Sequence, residues 1–115
     1  IKENHIAAAG SVKEALSLAQ ARGAGVEIEI EVESIAELEQ ALAAGGQRIL
    51  LDNFSIEQLN QAVACNNGRA RLEASGGISK ETIRAVAETG VNDISVGALT
   101  KDIRAVDFSL LFEIP

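Results

Sequence analysis

Three carboxylates, Glu31, Asp52 and Glu73, recur at intervals of twenty-one residues, each at the end of an apolar or alternating run and just before a helix-like segment. Parallel β/α folds place their chemistry there, where strand ends and the loops that follow them converge. A second signal lies beside the third carboxylate. Ser75-Gly76-Gly77-Ile78 closes a strand-like run, and Val96-Gly97-Ala98-Leu99-Thr100 closes the next, with Gly76 and Gly97 again twenty-one residues apart. Glycine lets backbone N–H groups approach an anion closely, and a helix N-terminus behind the loop adds a favourable dipole. Taken singly, either loop reads as a tight turn. Together on adjacent strands they point to phosphate binding, which β/α barrels commonly build from their last two strands.

The elements that must position these residues repeat with the same period. Glycines at 23, 45, 68 and 90 and serines at 11, 34, 55 and 79 divide the chain into four units of about twenty-two residues. Ser11-Val12-Lys13-Glu14 and Ser34-Ile35-Ala36-Glu37 have the form of capping boxes, Ser55-Ile56-Glu57-Gln58 is the glutamine version, and Ser79 caps a fourth helix without that partner. Apolar residues at helical spacing follow each cap, and the closing glycines are expected to supply a left-handed turn. Helices are predicted over 11–22, 34–44, 55–66 and 79–89, and strands over 26–32, 48–51, 69–74 and 92–96, with Ile1-Lys2 ending an earlier strand.

Strands alternating with helices imply a parallel sheet. The run Glu27-Ile28-Glu29-Ile30-Glu31-Val32-Glu33 alternates strictly, whereas strands of a doubly wound sheet, covered on both faces, read as continuous hydrophobic runs. Glutamates facing inward fit the lumen of a β/α barrel near an active site that supplies cations; an edge strand with one solvated face is the other reading. The predicted fold class is therefore α/β, part of a TIM-like β/α barrel. A complete barrel needs roughly 200 to 250 residues, so 115 residues carry about half of one. With no methionine and a strand-like start, the chain is expected to be part of a longer protein. Alone it should have open sheet edges, inward glutamates without cationic partners and no activity.

Composition narrows the function. Hydrophobic residues make up 47%, with ten glycines and one proline, as in a globular chain, and the apolar runs are far short of a membrane span. A cytoplasmic enzyme segment is expected. The net charge of −7 and the presence of only three aromatics, all Phe, argue against nucleic acid. The single cysteine, Cys65, lies in a predicted helix beside Val63 and Ala64. It reads as a small buried hydrophobe, and no disulfide can form within the chain.

Five motifs, in order and spacing, resemble one known family over essentially the whole chain. They are Lys2-Glu3-Asn4-His5, Glu29-Ile30-Glu31-Val32, Leu51-Asp52-Asn53-Phe54, Glu73-Ala74-Ser75-Gly76-Gly77 and Ser95-Val96-Gly97-Ala98-Leu99-Thr100. The family is quinolinate phosphoribosyltransferase, the carboxylating nicotinate-nucleotide pyrophosphorylase. The resemblance implies an N-terminal α+β domain, a C-terminal incomplete barrel and a homodimer with sites completed across the interface. It also implies the substrates quinolinate and phosphoribosyl pyrophosphate, the cofactor Mg²⁺, and nicotinate mononucleotide as product.

Position by position, the resemblance makes Lys2 the lysine that reaches the substrate carboxylate and the donor. It makes Glu31 and Asp52 the pair that binds ribose hydroxyls and, directly or through water, the metal; oxygen ligands are what Mg²⁺ prefers. Ser75, Gly76, Gly77 and Gly97 become the 5′-phosphate cradle. Glu29, Asn53 and Glu73 fall behind them, and His5 orients Lys2 or its loop. Many relatives carry Asn at the position of Gly77, so contacts there are expected from backbone. The arginines and histidine that hold the dicarboxylate lie upstream of Ile1 in the family pattern. Two other readings stay open: a different phosphate-binding barrel enzyme, which would keep the glycine loops without needing Glu31 and Asp52, and a non-catalytic half-barrel that serves assembly.

Overall fold

A computed structural model describes residues 1–23 and 25–113. The elements are α1 (Glu3–Ala9), α2 (Val12–Arg22), β1 (Glu29–Val32), α3 (Ile35–Ala43), β2 (Arg48–Asp52), α4 (Ile56–Asn66), β3 (Arg71–Ser75), α5 (Ile83–Glu88), β4 (Asp93–Ile94) and α6 (Ala98–Lys101). The strands form one parallel sheet in the order β1-β2-β3-β4. Ile1 extends it beyond β1: its backbone nitrogen donates to Glu29 O (2.6 Å) and its carbonyl accepts from Glu31 N (2.9 Å). The Ile1-Lys2 reading as a strand end is thus matched by ladder-like bonds.

Alternation along each strand decides where the core lies. Ile30, Val32, Ile49, Leu51, Leu72 and Ala74 are sealed beneath Leu16, Leu38, Leu42, Leu59, Ala62 and Val86 of the helices. Their neighbours in sequence, Glu29, Glu31, Arg48, Asp52, Glu73 and Ser75, take the opposite side of the pleat. Helices therefore cover one face of the sheet and a polar face is left, the arrangement expected of a barrel wall.

The serine caps are where the spacing put them. Ser11, Ser34 and Ser55 Oγ accept from the N–H groups of Glu14, Glu37 and Gln58. Only Ser55 completes the reciprocal box, its N–H donating to Gln58 Oε1 (2.8 Å); Glu37 Oε2 instead accepts from Glu33 N. Four readings need correction. Residues 3–9 are not a loop but helix α1, closed by Gly10 at φ +97°; three consecutive alanines favour it. Helix α5 begins at Ile83 rather than Ser79, because Ser79 and Thr82 bond each other in a turn, Ser79 N donating to Thr82 Oγ1 (2.9 Å). Gly23 ends α2 at φ −99°, without a left-handed turn. At the end of α4 the left-handed turn begins one residue early, with Asn67 at φ +45°, and Gly68 continues it at φ +74°.

Residues 103–113 form no helix or strand. Ile103, Val106, Phe108, Leu110, Leu111 and Phe112 are all exposed there.

Burial predicts a contrast between two leucines. Leu38 is 0% exposed and Leu18 53%, so Leu38→Ala should cost about 2–5 kcal/mol of unfolding free energy and Leu18→Ala under about 1. Denaturant unfolding of the full-length protein measures both.

Candidate active site

The polar face of the sheet ends in a cavity of about 430 Å³ lined by Ile1, Lys2, Glu29, Glu31, Leu50, Asp52 and Ser75. Strand register explains the gathering: Glu31 lies across from Leu50, and Asp52 across from Ser75, so the strand ends bring these side chains to one rim. Lys2 reaches over it, its Nζ 3.2 Å from Glu31 Oε2. The hydrogen bond to Glu31, and then its charge, raise the lysine's pKa above the ordinary value, so Lys2 stays cationic. Lys2 is held in turn by His5, whose Nδ1 accepts the Lys2 backbone N–H (3.0 Å) in the first turn of α1.

Carboxylate oxygens of Glu31, Glu33 and Asp52 lie within 4.8 Å of one another. Such a set of hard oxygen donors fits Mg²⁺ or a similar cation. Glu33 was read from sequence only as a member of the alternating run and not as a ligand, because it lies beyond the last strand residue; its place two residues after Glu31 in that run was the available signal. Asn53 backs Asp52, its Nδ2 donating to Asp52 Oδ2 (2.7 Å) from a left-handed backbone at φ +56°.

The glycine positions separate by physical role. A Cβ on Gly76, at φ +96°, would fall 2.8 Å from Asn53 N and closer still to the Asn53 side-chain amide. Gly76 thus lets the β3 loop close on the β2 loop, where Asn53 N donates to Ser75 O (2.9 Å). A side chain at Gly76 therefore cannot be accommodated unless the loop shifts. Gly77, at φ +61°, has open space where a Cβ would be. Gly97 has an ordinary φ of −66°, and a Cβ there would meet only Lys101, at 3.9 Å. No helix begins directly behind Ser75-Gly76-Gly77, since residues 78–82 precede α5. The helix dipole expected at that loop is therefore too far away to act, because the effect fades within one turn.

Below the rim the charges are neutralised from within the chain. Arg48 Nε donates to Glu29 Oε1 and Arg48 Nη2 to Glu73 Oε2, both at 2.7 Å. Ser95 Oγ donates to the other Glu73 oxygen. The Ser95 bond first, and the Arg48 guanidinium with it, hold the Glu73 carboxyl below its usual range against partial burial, which pushes it up. Arg71 grips Asp93 with two bonds of 2.6 and 2.8 Å and lowers its pKa. The expectation of inward glutamates left without cations is therefore wrong for this segment. Arg48 and Arg71 went unnoticed because each sits at the start of its strand, and only strand register sets them against carboxylates.

Of the expected site residues, Lys2, Glu29, Glu31, Asp52 and Ser75 share the cavity, with Asn53 and His5 bonded to its members. Glu73 lies beneath, and Gly76, Gly77 and Gly97 do not line it.

A one-faced parallel β/α sheet, with carboxylates and a lysine at the strand ends and small-residue loops beside them, defines the class: part of a TIM-like β/α barrel with its polar groups gathered at the strand ends. The chain belongs to the quinolinate phosphoribosyltransferase family. The family described as quinolinate phosphoribosyl transferase, C-terminal domain, matches residues 1–111. A nicotinate-nucleotide pyrophosphorylase [carboxylating] of Mycobacterium leprae is 43% identical over 96% of this chain and 40% of its own length. A probable counterpart in Bacillus subtilis is 42% identical, with 96% and 38% covered. The solved nicotinate-nucleotide pyrophosphorylase of Francisella tularensis superposes with a TM-score of 0.88 at 46% identity, covering 93% of this chain and 38% of that one. The chain thus spans about two-fifths of the length of the curated relatives it matches.

Two outcomes test this geometry. Gly76→Ala should destabilise the full-length protein by at least about 1–3 kcal/mol, and Gly97→Ala by less than about 1, as read by thermal unfolding. Glu73 titrates lower in the fold than its ordinary value of 4.5, so its stabilisation is complete above that value and lost as the pH falls below it. Urea unfolding from about pH 7 to about pH 3.5 should show a steeper acid loss for the wild type than for Glu73→Gln.

Proposed function

We propose that the complete protein transfers the phosphoribosyl group of phosphoribosyl pyrophosphate to quinolinate with decarboxylation, giving nicotinate mononucleotide for de novo NAD synthesis. The observation that carries this reading is the single cavity in which Lys2, Glu31, Asp52 and Ser75 meet. This segment supplies the ribose-phosphate half of the site, and the residues that select the dicarboxylate come from elsewhere in the protein. The family resemblance adds a homodimer and a cytoplasmic setting.

Lys2 presents a fixed positive charge to the donor's phosphates and to the substrate carboxylate. Glu31 and Asp52 accept from the ribose hydroxyls and stabilise positive charge developing on the ring as the C1–O bond to pyrophosphate loosens. The bonding pair leaves with pyrophosphate, and the pyridine nitrogen forms the new bond to C1. The carbon–carboxylate bond then breaks: carbon dioxide leaves, the electron pair stays on the ring carbon beside the cationic nitrogen, and a proton taken up at that carbon restores the pyridinium, so no side chain is required as general base. Glu31, Glu33 and Asp52 are the residues that would hold Mg²⁺, which when bound supplies further neutralisation of the pyrophosphate. Ser75, Gly77 and Gly97 offer hydroxyl and unobstructed backbone to the 5′-phosphate.

The test is product formation from the two substrates by the full-length enzyme. Glu31→Gln and Asp52→Asn should each lower kcat/KM for the donor by about a hundredfold, roughly 2.7 kcal/mol, and leave quinolinate binding nearly unchanged. Wild-type donor kinetics in both variants across a Mg²⁺ titration would rule the roles out.

A further inference from the structure

Arg48 joins the polar face of the sheet across its width. From β2 its Nε reaches Glu29 on β1 and its Nη2 reaches Glu73 on β3, each at 2.7 Å. Glu73 passes the connection on, because its second oxygen accepts from Ser95 Oγ just past β4. Ser95 N donates to Ala74 O (2.9 Å), and Gly97 follows two residues later. Glu27 Oε2 and Asp93 Oδ2 stand 3.9 Å from the same guanidinium. Arg71, its neighbour in the row, is committed to Asp93. Among the described residues no other basic side chain pairs with Glu29 or Glu73.

We propose that Arg48 is a positioning residue for the phosphate-binding end of the site: by holding Glu73 as the acceptor for Ser95, it sets the spacing between the Ser75–Gly77 loop and Gly97. What those loops bind rests on the function proposed above. The fork of the guanidinium is what makes one residue sufficient, since its planar N–H groups address two carboxylates in fixed directions and an ammonium offers one point of charge. Both Glu73 oxygens are thereby occupied, whereas Glu31 and Asp52 at the rim each have one oxygen bonded, to Lys2 and Asn53 respectively. Removal of Arg48 would leave Glu29 and Glu73 as neighbouring like charges without a cation between them, and such groups separate or take up protons. Separation carries Glu73 away from Ser95.

The experiment compares full-length wild type, Arg48→Met, Arg48→Lys and Arg48→Met/Glu73→Gln. Backbone hydrogen exchange over residues 92–97 is measured beside KM for phosphoribosyl pyrophosphate and kcat. In Arg48→Met, exchange over 92–97 and the donor KM should each rise about tenfold while kcat stays within about threefold. Arg48→Lys should fall between the two. Addition of Glu73→Gln to Arg48→Met should restore part of the donor affinity, because the uncompensated charge is gone; a role in packing alone would not show that rescue. A folded Arg48→Met protein with wild-type exchange over 92–97, or with loosened exchange and an unchanged donor KM, overturns the proposal. If Arg48→Met does not fold, Arg48→Lys decides, and wild-type values for both readouts overturn it. Should the wild type form no product, the proposed function falls; exchange over 92–97 together with inorganic phosphate affinity then judges Arg48, and no change in either overturns its role.

Discussion

Successive side chains of a strand point to opposite sides, and in this sheet that alternation separates two environments that cannot exchange residues. One face carries Ile30, Val32, Ile49, Leu51, Leu72 and Ala74 into contact with the helices. The other sets charged groups side by side at strand spacing, about 4.8 Å. Carboxylates so close repel unless cations stand between them. Arg48 between Glu29 and Glu73, Arg71 against Asp93 and Lys2 against Glu31 provide that alternation of sign. These pairs make the polar face compatible with the apolar one, and the site is built on top of them.

The same arrangement gives chemically identical residues different uses. Glu31 and Glu73 occupy equivalent places in the repeat, yet Glu73 has both oxygens engaged by Arg48 and Ser95 while Glu31, among the described residues, pairs with the tip of an exposed lysine. A carboxylate locked on both sides contributes geometry. One held by a flexible cation remains able to exchange that partner for a ligand. The glycines divide in a similar way: Gly76 is required by the backbone and side chain of Asn53, whereas Gly77 and Gly97 border open space. Glycines that look alike in sequence thus divide into one fixed by packing and others with room for a side chain.

Local chemistry was enough to place helices α2, α3 and α4, because a serine hydroxyl and the N–H three residues on are brought together by the first turn itself. Alternation in Glu29–Val32 likewise sufficed to separate the covered face from the polar one, and the order of the motifs was enough to recognise the family. Helix α1 escaped because its N-cap, Lys2, has no acceptor side chain, and the bond comes from His5. The late start of α5 escaped because Ser79, an apparent cap, is spent on a turn with Thr82.

The encounters that assemble the site lie outside that local range. Glu29 meets Arg48, Arg48 meets Glu73 and Glu73 meets Ser95 across nineteen, twenty-five and twenty-two residues of chain. Strand register alone determines them, and register follows from how the helices pack on the far face. Sequence by itself therefore determined the elements, the two faces of the sheet and the residue types at the strand ends, all of which depend on neighbours within a turn or a pleat. Only the tertiary structure decided which carboxylates are locked and which are free, and which glycine serves the backbone, because those outcomes depend on atoms that the chain brings together after the sheet has formed.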